Sequence, residues 1–277
     1  MKNQLLFQSK KLSYYRSGVE DGSVALVLVH GLCEDHRCWL PQWTHLSDKF
    51  PMLSIELPGF GGSEPSSEKG MRQYAEAVRA VLDEENLEKV VLLGHSMGGY
   101  TALEFASLYP ERLQGLGLVH SHPFADTEET RENRRRGILV LEEGKKDSYV
   151  AQLFPKLFPP DFAAEHPDIL ARFTQWGREQ TAEGIIRAQE NMITRSDHLK
   201  TLQEINVPVL YVLGKKDELI PPAFYPPMLD APALLDVHIV EHIGHMGMVE
   251  APDLLNSIFA EFYTWCIARS QKQQTSD

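Results

Sequence analysis

Six short strand-like runs, the first four of them near-continuously apolar, limit what this chain can fold into. VALVLV (24–29), MLSI (52–55), KVVLL (89–93) and LQGLGLV (113–119) fall within the first 120 residues, and VPVLYVLG (207–214) and LLDVHIV (234–240) follow much later. Such runs are rich in β-branched residues and lack the alternation of a sheet with one wet face. They suit strands buried on both faces of a parallel sheet. Helical patterns lie between them. Residues 71–85 place Tyr74, Val78, Val81 and Leu82 on one face, and residues 97–108 start directly after the third run and stop before Pro110. Strand–helix alternation predicts an α/β fold with a mostly parallel sheet flanked by helices and right-handed crossovers. LLFQ (5–8) and LSYY (12–15), joined by SKK, predict an N-terminal hairpin. Residues 252–268 predict a last amphipathic helix, before a polar tail at 269–277.

The rhythm breaks after residue 120. Residues 121–199 contain no convincing strand and read as short helices broken at Gly137, Gly144, Pro155, Pro159-Pro160, Pro167 and Gly184. The chain therefore divides into a core of 1–120 and 200–268 and a helical insertion, or cap, of 121–199. An insertion after a strand's carboxyl end sits over the usual ligand crevice of an open α/β sheet. The insertion's aromatics (Tyr149, Phe154, Phe158, Phe162, Phe173, Trp176) predict its own core and an apolar pocket roof. Arg131, Arg134, Arg135 and Arg136 suggest an anion site, but residues 126–147 hold seven acids against six bases. With Glu132 and Arg136 at i,i+4, a solvated helix face is the better reading.

Charge narrows the partners. Twenty-seven basic and 39 acidic residues give a net charge of −12, which disfavours nucleic acid and anionic lipid. Three cysteines (Cys33, Cys38, Cys266) fit a reducing compartment, and Cys33 and Cys38 lack the paired spacing of a zinc site. No apolar run nears the roughly 20 residues that span a bilayer. The N-terminus lacks a signal-peptide pattern, so the expected location is the cytoplasm.

The strongest chemical signal is Gly94-His95-Ser96-Met97-Gly98-Gly99, a G-x-S-x-G motif set between a predicted strand and a predicted helix. A sharp strand-to-helix turn lifts Ser96 above the sheet, and small residues on either side prevent clashes. The helix N-terminus brings free N–H groups and a positive dipole end beside Ser96, so the Met97 N–H faces any developing oxyanion. A nucleophilic serine needs a base, and the base needs an orienting acid. His245, between Gly244 and Gly247 after the last strand, is the better base; His242 is its rival. Asp217, following VLYVLGKK, is the better acid. Asp126 is its rival, although capping the helix that follows suits Asp126 better, and Glu218 reads as solvated. His30-Gly31-Leu32 follows the first core strand. His30 reads as a packed histidine bonding a backbone carbonyl, and the Leu32 N–H is the second oxyanion donor, with Cys33 as the neighbouring alternative.

Taken in order, HGL (30–32), ELPGFGGS (56–63), GHSMGG (94–99), GKKD (214–217) and IGHMG (243–247) make the sequence resemble lid-bearing α/β-hydrolases, the group of esterases, C–C bond hydrolases and proline-iminopeptidase-like enzymes. The core resemblance covers about 5–120 and 200–268. Glu56 departs from it, since relatives commonly carry Asp there, and is expected to brace the turn at Pro58-Gly59. The resemblance implies the α/β-hydrolase fold and a triad in the order Ser96, Asp217, His245, with no metal and no cofactor. It implies a serine hydrolase that acts on an ester or related carbonyl of a small molecule through an acyl-enzyme. A C–C hydrolase or thioesterase with the same triad, and a non-catalytic ligand binder, are the other readings. Cys33, Trp39 and His122 are candidate pocket residues, with core packing the better role for Trp39. The cap is expected to select a small or medium, largely apolar acyl group.

Overall fold

In a computed structural model, which describes residues 1–18 and 24–274, the apolar runs assemble into one eight-stranded sheet. The strands are β1 (Lys2–Phe7), β2 (Lys10–Arg16), β3 (Ala25–Val29), β4 (Met52–Ile55), β5 (Val90–His95), β6 (Leu113–Val119), β7 (Val209–Gly214) and β8 (Leu235–Val240). Their spatial order is β1-β2-β4-β3-β5-β6-β7-β8. β1 and β2 form the expected antiparallel hairpin, β2 meets β4 antiparallel, and every later pairing is parallel. Each residue of β3 to β7 is buried, as expected for strands covered on both faces. β8 lies at the edge and is only half-buried, in keeping with Asp236 and His238 that interrupt its apolar run.

The helices among the described residues are α1 (Leu40–Leu46), α2 (Arg72–Glu84), α3 (Met97–Leu108), α4 (Glu128–Glu142), α5 (Lys146–Leu153), α6 (Pro160–Glu165), α7 (Pro167–Glu179), α8 (Ala182–Ile193), α9 (Leu199–Glu204), α10 (Tyr225–Leu229), α11 (Gly247–Glu250) and α12 (Pro252–Gln274). α2 buries Tyr74, Val78, Val81 and Leu82, the face its periodicity predicts. α4 to α9 lie between β6 and β7 in the chain. Two expected breaks are absent. α4 runs through Gly137, where the Tyr149 ring packs so closely that a Cβ would meet it at 3.0 Å. Gly184 sits in the first turn of α8, which starts at a Thr181 N-cap; a Cβ there would strike the Gly59 carbonyl at 2.0 Å. Both glycines serve close packing. α12 continues to Gln274, so most of the expected polar tail is helical, and residues 275–277 lie outside the described residues. The sequence reading missed α1, a short helix opened by Pro41 at its second residue. No helix among the described residues is long and apolar enough to cross a membrane. The three cysteines are buried and unpaired.

Candidate active site

Ser96 stands where β5 becomes α3, with φ 50° and ψ −114°. That region is costly for a residue with a side chain, and the surrounding backbone holds it there. The Ser96 N–H donates to the Val119 carbonyl at 3.0 Å, and the Ser121 hydroxyl donates to the Ser96 carbonyl at 2.9 Å. The turn leaves no room for larger residues. A Cβ on Gly94 would lie 2.1 Å from the Gly98 carbonyl oxygen, and one on Gly98 would lie 2.3 Å from that of Val29. Met97 opens α3, whose first N–H groups have no partner inside the helix.

His245 reaches the same place from the loop after β8. Its Nδ1 is 2.8 Å from Asp217 Oδ2, its N–H donates to the Leu157 carbonyl at 3.0 Å, and it lines one cavity with Ser96. The Glu250 carboxylate accepts the Gly244 and Met246 N–H groups at 2.7 and 2.9 Å, fixing the loop on both sides of His245. Burial raises the Glu250 pKa to about 7. Asp217 Oδ1 accepts the Leu219 and Ile220 N–H groups at 2.9 and 3.2 Å. Burial would raise the Asp217 pKa, but His245 and His120 outweigh it and hold the carboxyl far below its usual range. His120 Nδ1 is 3.5 Å from Asp217 Oδ2; burial pushes His120 down to about 4, so its ring is neutral. The rival base His242 is exposed.

Asp126, the rival acid, lies elsewhere. It does not cap α4, because Thr127 does so by accepting the Thr130 N–H at 3.2 Å. The Asp126 carboxylate instead binds the guanidinium groups of Arg134 and Arg195. Of the four arginines read as a solvated face, Arg131, Arg135 and Arg136 do pair with Glu128 and Glu132 on the outside of α4. Arg134 turns inward and lines the cavity.

The loop after β3 carries Leu32, which lines the cavity beside Ser96. His30 is packed as expected. Its Nδ1–H donates to the Gly31 carbonyl at 2.8 Å, and its Nε2 accepts the Leu57 N–H at 3.0 Å. Cys33 and Trp39 are not among the described residues that line the cavity. The chain turns at Cys33 (φ 61°) and buries its thiol. Trp39 packs in the core against Phe259 and His95, with ring centroids 6.0 and 6.3 Å apart. His122 does line the cavity. Its Nδ1 accepts the Phe124 N–H at 3.2 Å and its Nε2 is 3.2 Å from the Tyr100 hydroxyl. Burial, aided by the Arg195 charge, pushes it down to about 3, so it is neutral.

The sequence reading missed Glu34. This buried carboxylate lines the cavity and holds His95, the residue before Ser96. Glu56 serves the loop it was expected to brace, further along. It accepts the Gly62 N–H at 2.7 Å and faces His36 Nδ1 at 2.8 Å. Asp35, His36 and Glu56 bring three ligand atoms within 4.8 Å of one another. Each carboxylate is already engaged. Burial would raise the Asp35 pKa, but the Arg37 guanidinium holds it at about 2, and Lys2 lies 3.7 Å from Glu56. This is an ion-pair network with little capacity left for a metal.

The cavity measures about 490 Å³. Leu32, Leu153, Leu157, Leu219, Ile220 and Phe224 give it an apolar side; Tyr100, His122, Asp126, Arg134, Gln189 and Arg195 give it a polar one. A mostly parallel sheet, a serine on a strained strand–helix turn and a histidine–aspartate pair after the last two strands are the arrangement of the α/β-hydrolase fold. The chain has the α/β-hydrolase fold. Residues 24–144 match a family sequence profile described as alpha/beta hydrolase fold. A thermophilic esterase from Thermogutta terrifontis superposes with a TM-score of 0.89 at 25% identity, covering 96% of this chain and 99% of that one. The 3-oxoadipate enol-lactonase 1 of Acinetobacter baylyi is 24% identical over 92% of this chain and 94% of its own. The 2-succinyl-6-hydroxy-2,4-cyclohexadiene-1-carboxylate synthase of Klebsiella pneumoniae is 26% identical over 85% and 92%.

Proposed function

We propose that the protein is a serine hydrolase that cleaves an ester or related carbonyl substrate through an acyl-enzyme. One observation carries this reading: Ser96, on its strained turn, and His245, held by Asp217 at 2.8 Å, open into one cavity. Ser96 Oγ attacks the carbonyl carbon while His245 Nε2 takes its proton. Asp217 keeps the proton on Nδ1 and stabilises the imidazolium. The Leu32 and Met97 N–H groups receive the oxyanion. Collapse of the tetrahedral intermediate expels the alcohol, which leaves with the proton from His245. Water, deprotonated by the same histidine, then releases the acid and restores Ser96. These steps draw only on the chain's own groups, so the reading includes neither metal nor cofactor.

The helices between β6 and β7 act as a cap, because α4, α5 and α8 contribute Arg134, Leu153 and Gln189 to the cavity wall. A small-molecule substrate in the cytoplasm completes the reading. A relative named as a carboxylate synthase rather than as an esterase keeps a second reading in play, in which the same triad serves a C–C bond hydrolase or thioesterase. The test is a fluorophosphonate probe followed by a panel of esters, thioesters and peptidyl arylamides. Labelling should map to Ser96 and vanish in Ser96→Ala; a label on another serine would refute the assignment.

A further inference from the structure

Two guanidinium groups share one carboxylate in the cavity wall. Arg134 Nε donates to Asp126 Oδ2 at 2.6 Å, and Arg195 Nη1 donates to Asp126 Oδ1. Side-chain exposure is 1% for Asp126, 3% for Arg195 and 17% for Arg134. Arg134 Nη2 also donates to Asp126 Oδ1 at 3.4 Å, and the other contacts named here are uncharged. Arg134 Nη1 donates to Gln189 Oε1 at 3.0 Å, Arg195 Nε donates to the Phe124 carbonyl at 3.1 Å, and the Arg195 guanidinium lies 4.0 Å above the Tyr100 ring. His122 adds no acceptor. The Phe124 N–H occupies its Nδ1, so Nε2 carries the proton and faces Arg195 Nη2 at 3.5 Å, donor to donor.

The other ionisable groups at the cavity do not restore balance. Glu34 is matched by His95, Asp217 is held behind His245 by the Leu219 and Ile220 N–H groups and is not among the residues that line the cavity, and Glu218 is exposed to water. The buried cluster therefore carries one excess positive charge, and buried charges are stable when paired. We infer that this wall is a carboxylate-binding subsite: the substrate carries a carboxylate, away from its scissile carbonyl, that Arg134 receives with Arg195 behind it. A guanidinium presents paired N–H donors that match the two oxygens of a carboxylate. The substrate class is then a half-ester, or a comparable acyl compound bearing a free acid, whose aliphatic part lies along Leu153, Leu157 and Ile220. This rests on the hydrolase reading for its scissile bond but not for its anion.

Two measurements separate the two claims. The first is calorimetric binding of glutarate to Ser96→Ala, with and without Arg134→Met. The second is kcat/KM for mono-p-nitrophenyl glutarate and 4-acetoxybenzoate, which place the carboxylate in the acyl and leaving groups, against p-nitrophenyl valerate and phenyl acetate. One of the two acids should exceed its neutral partner by about tenfold or more, the worth of a charge-assisted hydrogen bond. Arg134→Met should cut both that ratio and glutarate affinity by a similar factor. Arg134→Lys should recover part of it, and Arg135→Met, on the outer face of α4, should change neither. Thermal melts of each variant exclude unfolding as the cause. Turnover of neutral esters with no preference for either acid would overturn the subsite and leave the hydrolase standing. Glutarate binding through Arg134 without turnover of any ester would do the reverse.

Discussion

Glu34 accepts the Gly31 N–H at 2.8 Å and the His95 Nδ1–H at 2.9 Å, so one buried carboxylate joins the loop bearing Leu32 to the turn bearing Ser96. The other ring nitrogen of His95, Nε2, donates to the His245 carbonyl at 2.8 Å. A ring that donates from both nitrogens is an imidazolium. Burial opposes both charges, yet each partner overrides it, holding the Glu34 pKa down and the His95 pKa up. The pair ties the loop of Leu32, the turn of Ser96 and the loop of His245 together.

Glu34→Gln removes the charge and keeps the shape. kcat should fall on the order of 10- to 100-fold with little change in KM, because positioning at the reacting atoms matters more than substrate binding. Glu34→Ala leaves a buried imidazolium unpaired and should also cost about 3–5 kcal/mol of stability, read from urea midpoints. Equal kcat for Glu34→Gln and wild type would show that the pair only supports the fold.

The triad makes a sharper contrast. His245→Ala should lose on the order of 10³-fold or more in turnover, whereas exposed His242→Ala should lose little. Asp217→Asn should reduce turnover far more than Asp126→Asn. The latter should act on stability, since it removes the sole carboxylate among the described residues that pairs with Arg134 and Arg195. Steady-state rates and melting curves on the four variants decide the matter, and a swap within either pair would reassign the role.

Stability should fall as the solution is acidified below neutrality. His30, His120 and His122 are held neutral by burial, His120 at about 4 and His122 at about 3. Between pH 6.5 and 4.5 the unfolded chain takes up protons at these histidines that the native protein refuses. The stability present at pH 7 is therefore lost as pH falls. Glu250, raised to about 7, works in the opposite direction, because the native state protonates it first. Each uncompensated proton is worth about 1.4 kcal/mol per pH unit. Glu250→Gln should therefore steepen the loss by about one proton. Urea denaturation at half-unit steps would detect it; stability that rises toward pH 5 would contradict the assignment.

Chain length should limit neutral substrates. The cavity holds about 490 Å³, so activity on p-nitrophenyl esters should decline from medium to long acyl chains as the space fills. A flat profile from acetate to palmitate would indicate an open groove.

The strands were legible because β3 to β7 are buried on both faces, which leaves a local signature in the chain. Ser96 was legible because a strand, a glycine turn and a helix lie within about 20 residues. His245 and Asp217 followed from the order of strand ends. Glu34 and Arg195 were not legible, because their partners His95 and Asp126 lie 61 and 69 residues away and neither end carries a local pattern. Cys33 was misplaced because the chain turns inward at that residue, which sequence order does not reveal, whereas Trp39 took the core role that suited it better. Gly137 and Gly184 imitate helix breaks, because close packing and chain termination select the same residue.

The bond from the His245 N–H to the Leu157 carbonyl has a consequence for protein engineering. Leu157 belongs to the inserted segment, and its neighbour Pro159 presses so closely on Gly244 that a Cβ there would lie 2.7 Å away. The helices that shape the cavity thus also seat the histidine backbone. A chimaera that grafts foreign helices between β6 and β7 would inherit a new specificity only by keeping residues 157–159 as a fixed splice, because without them the transplanted roof would unseat the base beneath it.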